Sequence, residues 1–341
     1  DFTTENVAVF AENQFKVTEK FSVTPGVRYE YIKSEAEGRF GISSGNEVAL
    51  PHKTISRNQP LFGLGLEYKF RTTNLYSNIT QAYRPVLFSD LTPPAVTDVI
   101  DPNLKDADGY NADLGFRGTY KNYLNFDFSL FYLSYNNRIG GVRQFVNNDP
   151  TQGTYIYRTN LGETVNKGIE GFFNLNITRL FEVEQPYGNL DLFASISFID
   201  SRYTDFKVYT ATGSAPNVTI TESNLSGNRV ENAPRYIHNF GLSWGNNNLS
   251  ATVQYRMSGK IYTDANNTKT PSANGLTGLL EEYQVFDFSS EYKFLKNYNL
   301  RAGINNLLDE EYATRRAGGY PGPGILAGEG RTFYISVGAK L

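Results

Sequence analysis

Period-two alternation is the feature that most limits what this chain can become. In the final segment Phe333, Ile335, Val337, Ala339 and Leu341 alternate with Thr332, Tyr334, Ser336, Gly338 and Lys340. One face is apolar and the other polar or small, which suits a pleated strand with one wet face. The pattern recurs. Phe286, Phe288, Tyr292 and Phe294 alternate with Asp287, Ser289, Glu291 and Lys293. Leu249, Ala251, Val253, Tyr255 and Met257 alternate with Ser250, Thr252, Gln254 and Arg256. Val23, Val27, Tyr29 and Tyr31 alternate with Thr24, Arg28 and Glu30. Helical periodicity is weak throughout, so the expected class is all-β and antiparallel.

The connections narrow the class. Strands are expected near 5–15, 21–33, 59–70, 74–83, 109–120, 124–145, 154–178, 190–205, 229–245, 249–263, 284–294, 299–314 and 331–341. Tight turns at 18–20, 71–73, 121–123, 246–248 and 295–298 alternate with long loops near 34–58, 84–108, 206–228, 264–283 and 315–330. The connection at 146–153 is modest, and the one at 179–189 is longer than a tight turn. Short turns at one end and long loops at the other are the layout of an outer-membrane barrel. The 341 residues spread over these strands give about 26 each, whereas a soluble sandwich turns every ~8–12 residues. Several strands reach the ~9–11 residues that a tilted membrane strand needs.

Composition fits a barrel better than its averages suggest. Mean hydropathy is −0.42 and the hydrophobic fraction 40%. No run approaches the ~18 apolar residues of a spanning helix, but alternating strands average to near-soluble values in any case. Aromatic residues make up 14%, almost all of them among the 24 Tyr and 24 Phe. Tyr68, Phe70, Phe131, Tyr132, Tyr292, Phe294 and Phe333 sit near strand ends, where aromatic girdles meet lipid headgroups. The chain has no Cys, which excludes disulfides, thiolate metal sites and Cys nucleophiles. A net charge of −3 gives no support to nucleic-acid binding. The chain begins at Asp1 with no signal-peptide pattern, and Met257 is its only Met.

In an outer-membrane barrel the C-terminus is periplasmic. Counting back from 331–341 places every short turn on the periplasmic side and every long loop outside. Thirteen strands cannot close with both termini in the periplasm, and an open edge is not tolerated in lipid. Residues 1–341 are therefore expected to be the C-terminal portion of one incomplete barrel domain, with strands missing before Asp1.

Several motifs resemble those of TonB-dependent outer-membrane receptors, most closely the ferric-dicitrate transporter type. Gly303-Ile304-Asn305-Asn306-Leu307-Leu308-Asp309-Glu310-Glu311-Tyr312 is similar to the family's N-L-x-D-x-x-Y signature entering the last loop. Gln81-Ala82-Tyr83-Arg84-Pro85, Asn166-Lys167-Gly168-Ile169-Glu170-Gly171 and Val230-Glu231-Asn232-Ala233-Pro234-Arg235 resemble further family strand motifs. The resemblance implies a 22-stranded barrel whose lumen is plugged, with plug and TonB-engaging segment outside this chain. It also implies active uptake of a ferric chelate driven by the TonB-ExbB-ExbD system, in a monomeric barrel of a Gram-negative outer membrane. Iron would be cargo; no cofactor and no enzymatic activity are expected. A receptor of this family for another cargo (a different siderophore, haem, cobalamin or a glycan) is the alternative. A non-transport outer-membrane barrel and a soluble all-β binding module are more distant ones. The family commonly ends in an aromatic residue; this chain ends in Leu341.

Ferric citrate is anionic, and guanidinium pairs bidentately with carboxylates. The candidate binding residues are Arg84, Arg138, Arg143, Arg158, Arg315 and Arg316 at the lumen mouth, with Tyr83, Tyr135, Tyr157 and Tyr320 lining the same vestibule. The alternative at each single arginine is ordinary loop charge or lumen-wall hydrogen bonding with neighbouring Glu and Asp, and it outweighs the binding role position by position; the set together points to a cationic mouth. Asp98, Asp101, Asp106 and Asp108 form an acidic stretch without the spacing of a Ca²⁺ loop. Gly41-Ile42-Ser43-Ser44-Gly45 matches G-x-S-x-G but lacks its strand-turn-helix context. His238 is expected in the wall and His52 in a loop; no paired-His ligand set is present.

Overall fold

The computed structural model describes all residues except 44–45, 88–89, 91–98, 153, 184–186, 214–215, 318–323 and 341. The side chains of 40–43, 46–51, 53, 143, 148, 150 and 154 also lie outside the description. Thirteen antiparallel strands follow one another in sequence order across one sheet. They are β1 (Phe2–Glu12, resumed at Phe15–Lys16), β2 (Phe21–Ser43), β3 (Asn46–Lys69), β4 (Thr73–Arg84), β5 (Ala107–Tyr120), β6 (Leu124–Asn136), β7 (Glu163–Asn176), β8 (Asn189–Asp205), β9 (Tyr236–Gly245), β10 (Leu249–Ser258), β11 (Tyr283–Phe294), β12 (Tyr298–Asn305) and β13 (Thr332–Ala339). Both pieces of β1 share one register against β2, with Glu12 opposite Gly26 and Phe15 opposite Val23. The order is that of an up-and-down barrel wall, and β1 and β13 are its two edges.

Alternation decides the faces. Phe126, Phe128 and Leu130 of β6 lie in register with Phe173, Gly171 and Ile169 of β7, and these with Ala194, Ile196 and Phe198 of β8. This apolar face carries large exposed side chains: Phe333, Ile335 and Val337 are 72%, 74% and 69% exposed. Such a continuous surface is stable only against lipid. Two aromatic bands cross it. Tyr68–Phe70 (5.0 Å), Phe116–Phe126 (5.3 Å) and Tyr292–Phe294 (6.1 Å) lie toward the short-turn end. Tyr110–Tyr132 (5.7 Å), Phe198–His238 (4.7 Å) and Tyr255–Phe286 (4.7 Å) lie toward the loop end. His238 is thus a wall residue, as expected. Phe131 is not in a band: it has the opposite parity and packs over Gly168, which has no side chain in the way.

The opposite face is polar and laced with hydrogen bonds. Asn74 bonds Glu67, Arg117 lies 4.8 Å over the Tyr76 ring, and Tyr76 donates to Asp127 at 2.8 Å. Arg301 and Asn299 both bond Glu291, at 3.0 and 2.6 Å. These ladders satisfy charges on a wet lumen wall.

The loop end departs from expectation in several respects. Residues 34–58, expected as a loop, continue β2 and β3 as a hairpin paired out to Ser43 and Asn46. His52 and Gly41 to Ser43 therefore lie in strands; Ser44 and Gly45 are outside the described residues. Lys207–Thr212 pairs with Thr219–Asn224, and Ala313–Ala317 with Gly324–Ala327. The expected strand 124–145 breaks into β6 and Ile139–Phe145, and 154–178 into Thr154–Asn160 and β7. Ile139–Phe145, Thr154–Asn160 and Val99–Ile100 form a separate small sheet. Residues 229–235 precede β9 without joining a strand. The longer connection after β7 holds a short helix, Ile177–Leu180, whose Arg179 N–H is accepted by the Asn176 side chain at 2.7 Å. Leu341 lies outside the described residues.

Candidate functional site

The sequence candidates cluster at the loop end, where most are held by carboxylates or carbonyls. Arg138 follows β6. Its guanidinium donates to the Tyr203 hydroxyl and to Glu231, both at 2.6 Å. Its plane lies 5.6 Å from the Tyr203 ring and 5.8 Å from that of Phe206, and these two rings stack at 4.4 Å. Tyr203 is 1% exposed and also donates to Glu231. Burial pushes the Glu231 carboxyl up, but the bonds from Tyr203 and Arg138 outweigh it and hold the group below its usual range. The trio ties the connection after β6 to the top of β8 and to the segment before β9.

A second lock sits at the foot of residues 85–106. Arg57 on β3 meets Asp106 at 2.6 Å, with side chains 6% and 7% exposed. Asp106 accepts from the Val86 N–H (2.8 Å) and from Gln59 (3.0 Å), and Arg57 reaches the Val86 carbonyl (3.3 Å). Arg84 bonds Asp90 at 3.2 Å and keeps 36% of its side chain exposed. Tyr83 donates to Glu30, which also takes Arg28 at 2.5 Å.

The remaining candidates divide. Arg316 donates to the carbonyls of Gly275 (2.8 Å) and Gly278 (3.1 Å), pinning one loop to another. Arg315, its neighbour, is exposed. Arg158 stands in the small loop sheet with its Nε buried and unpartnered. Tyr157 lies beside it; burial and then a bond to Asp101 raise its hydroxyl pKa. Tyr135 is half-buried on the polar face of β6, opposite Thr164. Arg143 is in the strand Ile139–Phe145, its side chain outside the description, and Tyr320 is outside the described residues.

The acidic stretch disperses. Asp106 serves Arg57, Asp101 takes Thr159 and the Asn103 N–H, and Asp108 takes Asn137 at 2.5 Å. Asp98 is outside the described residues. Among the described residues no acidic or His cluster has metal-site geometry. A loop-end cavity of about 690 Å³ is lined by Glu281, Glu282, Asp309, Glu310 and Glu311 with Arg316. The sequence reading did not single out this acidic wall, although Asp309-Glu310-Glu311 stood inside a motif it named.

That motif is a clasp. Asn306 is 2% exposed. Its side chain accepts from the Glu310 N–H (2.8 Å) and donates to the carbonyls of Glu310 (2.9 Å) and Glu329 (3.1 Å). Asp309 accepts from the Arg331 N–H at 2.8 Å. Asn306 and Asp309 hold φ of +50° and +60°, which Asn and Asp tolerate better than other side chains. Together they join the two ends of the last loop. Tyr312 then stacks on Tyr283 at 4.4 Å and covers Gly328, where any Cβ would strike its ring.

A lipid-faced antiparallel wall with tight turns at one end and knitted loops at the other defines a transmembrane β-barrel. The family model described as TonB dependent receptor-like, beta-barrel matches residues 1–307, and the chain belongs to that family. It is 24% identical over its whole length to the probable TonB-dependent siderophore receptor PiuA of Acinetobacter baumannii, covering 41% of that protein. It is 23% identical over 98% of its length to the ferrienterobactin receptor of Escherichia coli K12, covering 42% of that protein. The unliganded ferric citrate transporter FecA shares its fold with a TM-score of 0.74 at 21% identity, over 99% of this chain and 45% of that one. The chain thus spans less than half the length of these relatives.

Proposed function

We propose that the chain is wall and mouth of an outer-membrane receptor that captures a ferric chelate and imports it under TonB-ExbB-ExbD drive. Its loops face outward and its C-terminus the periplasm. The observation that carries this reading is the family's barrel wall together with a loop end whose guanidiniums keep spare donors. Among the described residues, Arg84 has Asp90 as its one side-chain partner and keeps open surface, Arg315 is exposed, and the buried Nε of Arg158 has no partner. These groups suit a carboxylate-bearing chelate of the citrate type. The protein would bind and release its cargo without covalent chemistry, with iron as cargo.

One observation favours a second reading of the cargo. The 690 Å³ acidic cavity repels a polyanion and suits a neutral or amine-bearing chelate. Equilibrium binding of radiolabelled iron to the full-length protein in detergent separates the two. Saturable binding of ferric citrate, weakened about tenfold by Arg84→Ala or Arg158→Ala, supports the citrate reading. Binding only of neutral or cationic chelates selects the second, and no binding of any ferric chelate overturns transport of iron.

A further inference from the structure

The barrel's outer face carries a cationic recess that the lumen reading does not use. Above Ile169 and Phe198 on the apolar face, parity places Lys167 opposite Asp200, and Arg202 bridges to Arg229. Lys167, Arg202, Arg229 and Arg235 line one concavity of about 560 Å³, and Asp200 is its only carboxylate. Asp200 is already shared: Arg202 Nε bonds it at 2.9 Å and Arg229 Nη2 at 3.1 Å. Among the described residues, neither Lys167 nor Arg235 has an ion pair. The Arg229 side chain is only 11% exposed, and among the described residues its buried Nη1 has no partner. A buried guanidinium nitrogen without an acceptor is costly. Burial, then repulsion from Arg235, holds the Arg229 guanidinium below its usual pKa, with Asp200 opposing and Arg202 adding further repulsion. The floor of the recess is apolar and aromatic: Ile169, Phe198 and Tyr236 continue into the loop-end aromatic band.

We propose that this recess binds the phosphate groups of a phosphorylated lipid headgroup in the outer leaflet, with the acyl chains on the Ile169–Phe198 surface beneath. Cations immediately above a lipid-facing band stand at headgroup height, and a phosphate supplies the acceptors that Arg229, Arg235 and Lys167 lack. The assignment rests on the outward orientation of the loops proposed above, but not on the identity of the cargo.

The test uses full-length protein extracted from outer membranes in mild detergent. Bound lipid is measured by phosphate analysis and mass spectrometry. Wild type retains phosphorylated lipid, and Arg229→Gln with Arg235→Gln retains at least about tenfold less. Lys167→Gln, at an exposed position, gives a smaller loss and covers the case in which the double variant fails to fold. Arg301→Gln, on the lumen face, retains the wild-type amount. Delipidated protein rebinds vesicles containing phosphorylated lipid but not zwitterionic vesicles, and millimolar inorganic phosphate does not compete. Equal retention by the folded double variant or by Lys167→Gln overturns the proposal. Full competition by inorganic phosphate also overturns it, because the site would then hold a free anion. Ferric-chelate binding is read on the same samples: its absence from wild type sinks the transport reading without touching the lipid result.

Discussion

Two groups of arginines meet β8 on its opposite faces, Arg138 at Tyr203 and Arg229 beside Arg202. Ser201 and Tyr203 of β8 face the lumen, where Tyr203 and Glu231 both bond Arg138. Asp200 and Arg202, between and beside them, face outward, where four cations line one recess and its one lining carboxylate, Asp200, bonds two of them. The residue type is the same, but the supply of counter-charge differs. Inside, Glu231, Asp106 and Asp90 turn guanidiniums into joints between loops and wall. Outside, the excess positive charge stays unmatched within the protein. A pleated strand makes this separation automatic, because successive side chains point to opposite faces.

The largest effect that should separate the two groups comes from the inner lock at Arg57. Asp106→Ala leaves a buried guanidinium without its carboxylate and is expected to cost about 3 kcal/mol of unfolding free energy. Chemical unfolding of the full-length protein in detergent measures this, and an unchanged value would remove the lock from the account.

Glu231→Gln should act more weakly, about 1 kcal/mol, because Arg138 retains the Tyr203 hydroxyl and is 33% exposed. Here pH offers an independent check. The folded-state pKa of Glu231 is depressed, so its contribution is present above the ordinary carboxylate pKa and is lost as pH falls through the depressed value. Amide-exchange protection around 225–231, corrected for the intrinsic pH dependence of exchange, should fall on acidification in wild type and stay flat in the Gln variant. Equal acid responses would assign the effect to other carboxylates.

Asp200→Asn sharpens the contrast from the other side. Removing the one carboxylate that lines the recess should raise retention of phosphorylated lipid severalfold and leave cargo affinity unchanged. A fall in retention would mean that Asp200 chiefly orders Arg202 and Arg229. The smallest effect belongs to the loop hairpin, where the exposed Lys207 and Glu222 pair at 2.7 Å. Glu222→Gln should not shift Tm measurably, since exposed pairs contribute little. A clear shift would extend the locking role to solvent-exposed pairs.

The wall was legible in the sequence because one of its faces meets lipid. Phe333, Ile335 and Val337 advertise their face at every second position. Residues 34–58 gave no such signal: above the bilayer both faces of a hairpin are wet, so Ser34 and Glu35 read as loop while pairing as strand. At the mouth the arginines could be named, but their partners could not. Glu231 lies 93 residues from Arg138 and Tyr203 lies 65 away, and only the closing of the sheet brings them together. The outer recess is hidden for the same reason. Lys167 stood inside an N-x-G-x-E-like run and Arg235 ended another motif, with nothing local to show that they share a face.

The central claim is that alternation along a strand such as β8 divides lipid from lumen. Residues 1–341 contain no Cys, so once any Cys elsewhere in the full-length protein is replaced, spin labels on single Cys substitutions at successive positions 192–199 report on one site each. In full-length protein reconstituted in bilayers, Leu192, Ala194, Ile196 and Phe198 should be accessible to oxygen. Phe193, Ser195, Ser197 and Ile199 should be accessible instead to a water-soluble nickel reagent. Accessibility to both reagents that does not alternate with period two would contradict the account.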